Sequence, residues 1–197
     1  ALGVRDIYVV QSNDEWRHAI SLGVFKTEEN ANNYFAQLKQ ILYDTVRELN
    51  AQTVLEIGTD VGDSTRIFAT ALRETGGKLW TVDLYPPKWP EGWLVPYPNV
   101  TILTIAAQAL PWEMPLALLF IDGDHTVEAV TADLERFGRW VKPRGKTLLH
   151  DTIHQEFGTG IRTAGETYAR THHHGWVNHA IQHGLGVMDV RLNPYDS

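Results

Sequence analysis

Four residues form two short clusters suited to acid–base or metal chemistry. Asp122 and His125 lie in the segment IDGDH, and His150 and Asp151 close the segment LLHD. Two carboxylates near an imidazole can hold a hard divalent cation such as Mg²⁺, with water and substrate oxygens completing its shell. Without a metal, an imidazole titrates near working pH, which makes His125 the best general base. Each cluster follows a short run, LALLFI or GKTLL, that reads as a strand. Adjacent parallel strands lie about 4.8 Å apart, so carboxylates at two neighbouring strand ends project into one crevice. Helix capping or packing would account for His125 in purely structural terms, and capping of turns for the two aspartates.

A second candidate site is the turn Glu56-Ile57-Gly58-Thr59-Asp60-Val61-Gly62-Asp63-Ser64-Thr65. Gly58 falls where a strand must turn sharply, and Gly62 lets the backbone approach a ligand at the start of the next helix. The dinucleotide fingerprint G-x-G-x-x-G is not what is written, because Asp60 occupies the second glycine place. An acid there repels a pyrophosphate but tolerates a cationic ligand. The following strand ends in Asp83, a carboxylate suited to accept both hydroxyls of a ribose.

These residues need a scaffold of alternating strands and helices, and the pattern supplies one. TVLEIG, KLWTVDL, VTILTIA, LALLFID and GKTLLHD read as five strands, with WVNHAI and GLGVMDVRL as closing strands. The helices are DSTRIFATALRET, ended by Gly76 and Gly77, then HTVEAVTADLERFGRWV, stopped by Pro143 and Gly145, and TGIRTAGETYAR. Such alternation predicts parallel pairing in a doubly wound α/β sheet, seven-stranded and mostly parallel, with ligands beyond the carboxyl ends of its strands. Residues 6–25 read as a hairpin. Thr27, Glu28 and Glu29 then open an amphipathic helix, or a pair of short ones, carrying Tyr34, Leu38, Ile41, Leu42, Thr45 and Leu49. Residues 1–50 are therefore an N-terminal extension packed on a core of residues 51–197, within a single domain.

Length and composition agree with this. The chain has 197 residues, 43% hydrophobic and 21% charged, enough for one buried core. It has no cysteine, so no disulfide framework can form. No apolar run is long enough to span a membrane, and ALGVRDIYVV lacks the pattern of a secretory signal, so a cytoplasmic enzyme is expected. The net charge of −7 and the lack of Lys/Arg clusters argue against a nucleic-acid substrate and for a small neutral or cationic one. A homo-oligomer is compatible with all of this. The Trp/Pro-rich stretch YPPKWPEGWLVPYPN (residues 85–99) reads as a long loop that either anchors to the body or walls an acceptor pocket. Histidines 172–174, with His154, His179 and His183, read as polar loop positions rather than a zinc site, since adjacent histidines point in different directions.

VLEIGTDVGDSTRIFATAL resembles motif I of class I methyltransferases, usually LEIGTGYGxST, with Asp60 as the departure. FIDGDHTVEAVTADLERFGRWVKPRGKTLLHD is similar to a small methyltransferase family (family 24-like) that includes cephalosporin-hydroxylase-like proteins and sugar O-methyltransferases. The resemblance covers about residues 50–192 and implies a Rossmann-like methyltransferase sheet and the cofactor S-adenosyl-L-methionine. It implies that Glu56, Gly58 and Gly62 shape the cofactor pocket, with Ser64 near the methionine carboxylate and Asp83 on the ribose. It also puts Ala106, Ala107 and Gln108 beside the adenine and Asp122 at the pocket edge. On the family's template a metal lies between Asp122 and Asp151, with His150 or Thr152 as third ligand. The expected reaction is O-methylation of a small hydroxylated molecule, a sugar or natural product. Two alternatives compete: a nicotinamide-dependent oxidoreductase, which the glycine pattern disfavours, and a non-catalytic nucleoside-binding module, which Asp122, His125 and Asp151 disfavour.

Overall fold

The computed structural model describes residues 28–87, 89, 92–153, 159–181 and 183–191; the hairpin expected over 6–25 and His154 lie outside them. The elements are α1 (Glu28–Glu48), β1 (Thr53–Ile57), α2 (Asp63–Thr75), β2 (Lys78–Asp83), β3 (Val100–Thr104) and β4 (Leu116–Ile121). Then follow α3 (Val127–Phe137), β5 (Val141–His150), α4 (Gly160–Thr171), β6 (Gly175–His179) and β7 (Leu185–Asp189). The strands form one seven-stranded sheet in the order β3-β2-β1-β4-β5-β7-β6. β1 to β5 pair in parallel, while β7 runs antiparallel to both β5 and β6. This is a Rossmann-like, doubly wound α/β sheet. Strand order reverses between β1 and β4, and a doubly wound sheet opens its ligand crevice at such a switch point.

The central strands are apolar because both faces are covered. Every residue of β4 is buried. Its Leu118 and Phe120 join one core with Leu38, Leu42 and Val46 of α1 and Phe68 and Leu72 of α2. Its Leu119 and Ile121 join the other with Leu134 and Phe137 of α3 and Tyr168 of α4. α1 is one continuous helix, and Leu38, Leu42 and Val46 recur every four residues along its buried side. No described helix is long and apolar enough to cross a membrane.

One boundary differs from the sequence pattern. α3 stops at Phe137, a short 3-10 turn follows over Gly138–Trp140, and β5 already begins at Val141. At Gly138 the phenol of Tyr168 packs so closely that a Cβ would lie 2.5 Å from its oxygen. Pro143 and Gly145 therefore break the register of a strand rather than end a helix. Leu116 faces Val141 and Leu118 faces Lys146, so three extra residues bulge out of β5. The bulge is tied down by hydrogen bonds from the Arg144 N–H to Val190 O and from the Val190 N–H to Gly145 O.

Candidate active site

The turn after β1 is wedged between the tips of β2 and β4. The Gly58 N–H donates to Val82 O at 2.9 Å, and the Asp122 N–H donates to Ile57 O at 2.8 Å. Gly58 has φ +94°, and a Cβ there would collide with the Asp122 carbonyl and lie 2.8 Å from Gly123 N. Only glycine lets the two strand tips approach this closely. Gly62, at φ +81°, has a different neighbour from the expected ligand. The indole of Trp89 sits where its Cβ would be, 2.6 Å away, and the Trp89 Nε1–H donates to Val61 O at 2.9 Å. Trp89 stacks on Trp93 at 3.9 Å, and the Arg66 guanidinium lies over the Trp93 ring. These tryptophans thus anchor the proline-rich loop to the glycine turn and α2.

Beneath the turn, Glu56 is fully buried. Ser64 Oγ and Thr65 Oγ1 each donate to its carboxylate at 2.6 Å. Burial pushes its pKa up to about 7, against the pull of hydrogen bonds from Ser64, Thr65 and Thr81. Glu56 therefore clamps the first turn of α2 from below, and the Ser64 proton is directed to it. Because its folded pKa lies above the unfolded value, Glu56 should cost stability as pH rises from about 4.5 to about 7, on the order of 3 kcal/mol. Below that window there is no cost, and above it the loss is complete. Urea unfolding of wild type and Glu56→Gln at both ends of the window should show the gain of the variant over wild type growing with pH. An unchanged difference would disprove the assignment.

Asp83, at the tip of β2, has two roles. Its Oδ2 accepts the N–H groups of Thr59 at 2.9 Å and Asp60 at 3.1 Å, and Oδ1 accepts that of Tyr85 at 3.0 Å. It also borders a cavity of about 530 Å³ with Ala106, Ala107 and Gln108 on one side and Asp122, His125 and Asp151 on the other. A smaller cavity, about 60 Å³, lies between α1 and the start of α2 and is lined by Ser64 and Gly62. Gly58, Asp60, Asp122 and His150 border both.

The strand tips bring both clusters together. β4 and β5 are in register to Ile121 and Leu149, which sets Asp122 beside His150 and Asp151 one residue beyond. His125 Nε2 lies 2.9 Å from Asp151 Oδ2 and 3.7 Å from Asp122 Oδ1. His150 Nδ1 lies 3.0 Å from Asp122 Oδ1 and 3.3 Å from Asp151 Oδ1. Asp151 has φ +54°, which turns its side chain back into the group. On the other strand, the Thr126 N–H donates to Asp124 Oδ1 at 2.8 Å, and Thr126 Oγ1 caps α3 by accepting the Ala129 N–H. That turn aims His125 at the strand tips.

Charge in the group is strongly biased. Burial alone would raise the Asp122 carboxyl, but the charge of His150 and hydrogen bonds from both histidines outweigh it and hold the pKa at about 2. Burial would likewise lower both imidazoles, yet the two carboxylates lift His125 to about 9 and His150 to about 8. Asp122, His125 and Asp151 present ligand atoms all within 4.8 Å of one another, the one such grouping of potential metal ligands among the described residues. His150, 4% exposed, supports this trio from beneath, where the resemblance had suggested it as a ligand. Thr152 is fully buried. None of the described C-terminal histidines belongs to the trio, and His172 stacks on Tyr168 at 4.0 Å.

Sequence reasoning missed Asp133, a buried acid on α3 that borders the larger cavity and accepts Gln108 Nε2–H at 2.6 Å. The available signal was a lone charge among Val130, Leu134 and Phe137 on the apolar side of a helix.

Residues 55–152, about half of the chain, match a family described as a methyltransferase domain. Solved structures of the same fold include the S-adenosylhomocysteine-bound methyltransferase PaMTH1 of Podospora anserina, 12% identical, with TM-score 0.64 over 93% of this chain and 99% of that one. CalS11, a TDP-rhamnose 3′-O-methyltransferase of calicheamicin biosynthesis, is 12% identical, with TM-score 0.62 over 83% and 80%. The N-methyltransferase NodS of Bradyrhizobium japonicum WM9 is 10% identical, with TM-score 0.57 over 80% and 95%. With the matched domain, the sheet order and a crevice at the switch point, the chain belongs to the class I S-adenosylmethionine-dependent methyltransferases.

Proposed function

We propose that this enzyme methylates a hydroxyl oxygen of a small, non-anionic molecule, with Asp122, His125 and Asp151 handling the acceptor. The observation that carries the reading is the placement of this acid–imidazole group on the same cavity as Asp83, at the far side of the strand switch. The nucleoside lies along the larger cavity, with its ribose on Asp83 and its base along Ala106–Gln108. The methionine tail enters the smaller cavity, where α2 starts at Gly62 without a side-chain cap and its first N–H groups can receive a carboxylate. The sulfonium then faces Asp122.

Transfer breaks the S–CH₃ bond, returns its electron pair to sulfur and forms the new O–CH₃ bond, so the acceptor must lose a proton. Alignment of the two reactants supplies a large part of the rate, up to about 7–11 kcal/mol in favourable cases. With its pKa lifted to about 9, His125 is mostly an imidazolium at neutral pH and takes the proton through its neutral fraction, which grows as pH rises towards 9. Asp151 at 2.9 Å stabilises the imidazolium that results. The trio also fits a divalent cation, Mg²⁺ being the expected one, since two hard carboxylates and an imidazole converge within ligand spacing. A bound cation would lower the pKa of the acceptor hydroxyl and fix its oxygen. The net charge of −7 favours a small acceptor over nucleic acid.

Calorimetric titration with S-adenosylhomocysteine, and transfer of a labelled methyl group to a panel of hydroxylated and amino compounds with Mg²⁺ or a chelator, test this directly. Asp83→Ala should weaken nucleoside binding on the order of tenfold or more, whereas Asp122→Ala should act mainly on turnover. The opposite ranking would overturn the assignment of roles, and methylation of amines alone would overturn the choice of oxygen.

A further inference from the structure

Asp133 is 4% exposed in the middle of α3, and the chemistry above does not use it. It stands four residues after Ala129, on the same side of the helix, and both border the larger cavity. Its Oδ1 accepts the Nε2–H of Gln108, the residue placed beside the nucleobase, at 2.6 Å. Burial, reinforced by the charge of Asp124 and opposed by the Gln108 hydrogen bond, lifts its pKa to about 6. At about pH 8 it is therefore a carboxylate, which can only accept hydrogen bonds.

A group that only accepts decides which way the neighbouring amide turns. The Gln108 NH₂ must face α3, and its Oε1, at the opposite corner of the planar amide, must face away. We propose that Asp133 is a positioning residue for nucleobase selection: by holding the Gln108 NH₂, it presents Gln108 Oε1 to the 6-amino group of adenine and disfavours a 6-oxo purine. This rests on the cofactor placement given above. A 6-oxo base would set one acceptor against another and leave both unpaired. Once Asp133 is neutralised, the amide can turn over and offer either end.

The test compares S-adenosylhomocysteine with its deaminated 6-oxo counterpart, S-inosylhomocysteine, by calorimetry at about pH 8. Wild type should prefer the adenosyl ligand by roughly tenfold or more, and Asp133→Asn should reduce that preference to within about threefold. A purely structural role for Asp133 would weaken both ligands in parallel and keep their ratio. An unchanged ratio in Asp133→Asn, or equal affinities in wild type, overturns the proposal while leaving the cofactor placement intact. Failure of wild type to bind either ligand overturns that placement instead. If Asp133→Asn does not fold, Gln108→Leu replaces it: loss of the preference supports the proposal, and retention overturns it.

Discussion

Asp151→Asn should lower kcat by roughly 10²–10⁴-fold while changing the affinity for S-adenosylhomocysteine less than about threefold. The substitution is close to isosteric. Asparagine is also among the few residues that accept the left-handed backbone found at this position, φ +54°. What changes is charge. His125 would be left with Asp122 alone, 3.7 Å away, and the imidazolium formed on taking the acceptor's proton would lose its nearest counterion. A cation bound at the trio would lose one of its two carboxylates. Asp151 does not line the smaller cavity or the Asp83 side, so binding of the demethylated cofactor should survive. Steady-state kinetics paired with calorimetry read the two effects separately. A variant with normal turnover and weakened binding would remove Asp151 from the chemistry.

Gly58→Ala should be the most damaging single methyl in the crevice. At φ +94° an L side chain is strained on its own, and here the added carbon also meets backbone on two sides, the Asp122 carbonyl and Gly123 N. Neither can give way without parting β1 from β4, whose tips are joined by the Asp122 N–H to Ile57 O hydrogen bond. A cost on the order of 3–5 kcal/mol follows, or a fall in Tm of about 10 °C or more. Any relaxation would also shift Asp122, so turnover should fall even where the variant folds. A melting temperature within about 2 °C of wild type would show that the turn has slack.

The scaffold was legible because its signals are redundant. LALLFI is apolar at every position, and a strand covered on both faces reads as such a run. The convergence of Asp122 and Asp151 followed from the same logic, since two parallel strands that end together bring their next residues together. The sequence left other points open because they depend on side-chain direction. Spacing along a chain does not tell whether His125 or His150 completes a trio with the two acids. Nor does it show that the Ser64 hydroxyl turns down to Glu56, or that Gly62 makes room for an indole. Pro143 and Gly145 misled for a related reason, because a helix stop and a strand bulge use the same residue types.

That bulge has an evolutionary corollary. From Lys146 to Leu149 the chain is locked in step with β4 on one side and β7 on the other. An insertion or deletion at 142–143, before the pinned Arg144 and Gly145, would be absorbed at the far end of the sheet. The same change between 146 and 149 would shift His150 and Asp151 by one place and turn their side chains to the wrong layer. Natural relatives should vary in length before Arg144 and keep a fixed spacing after Lys146.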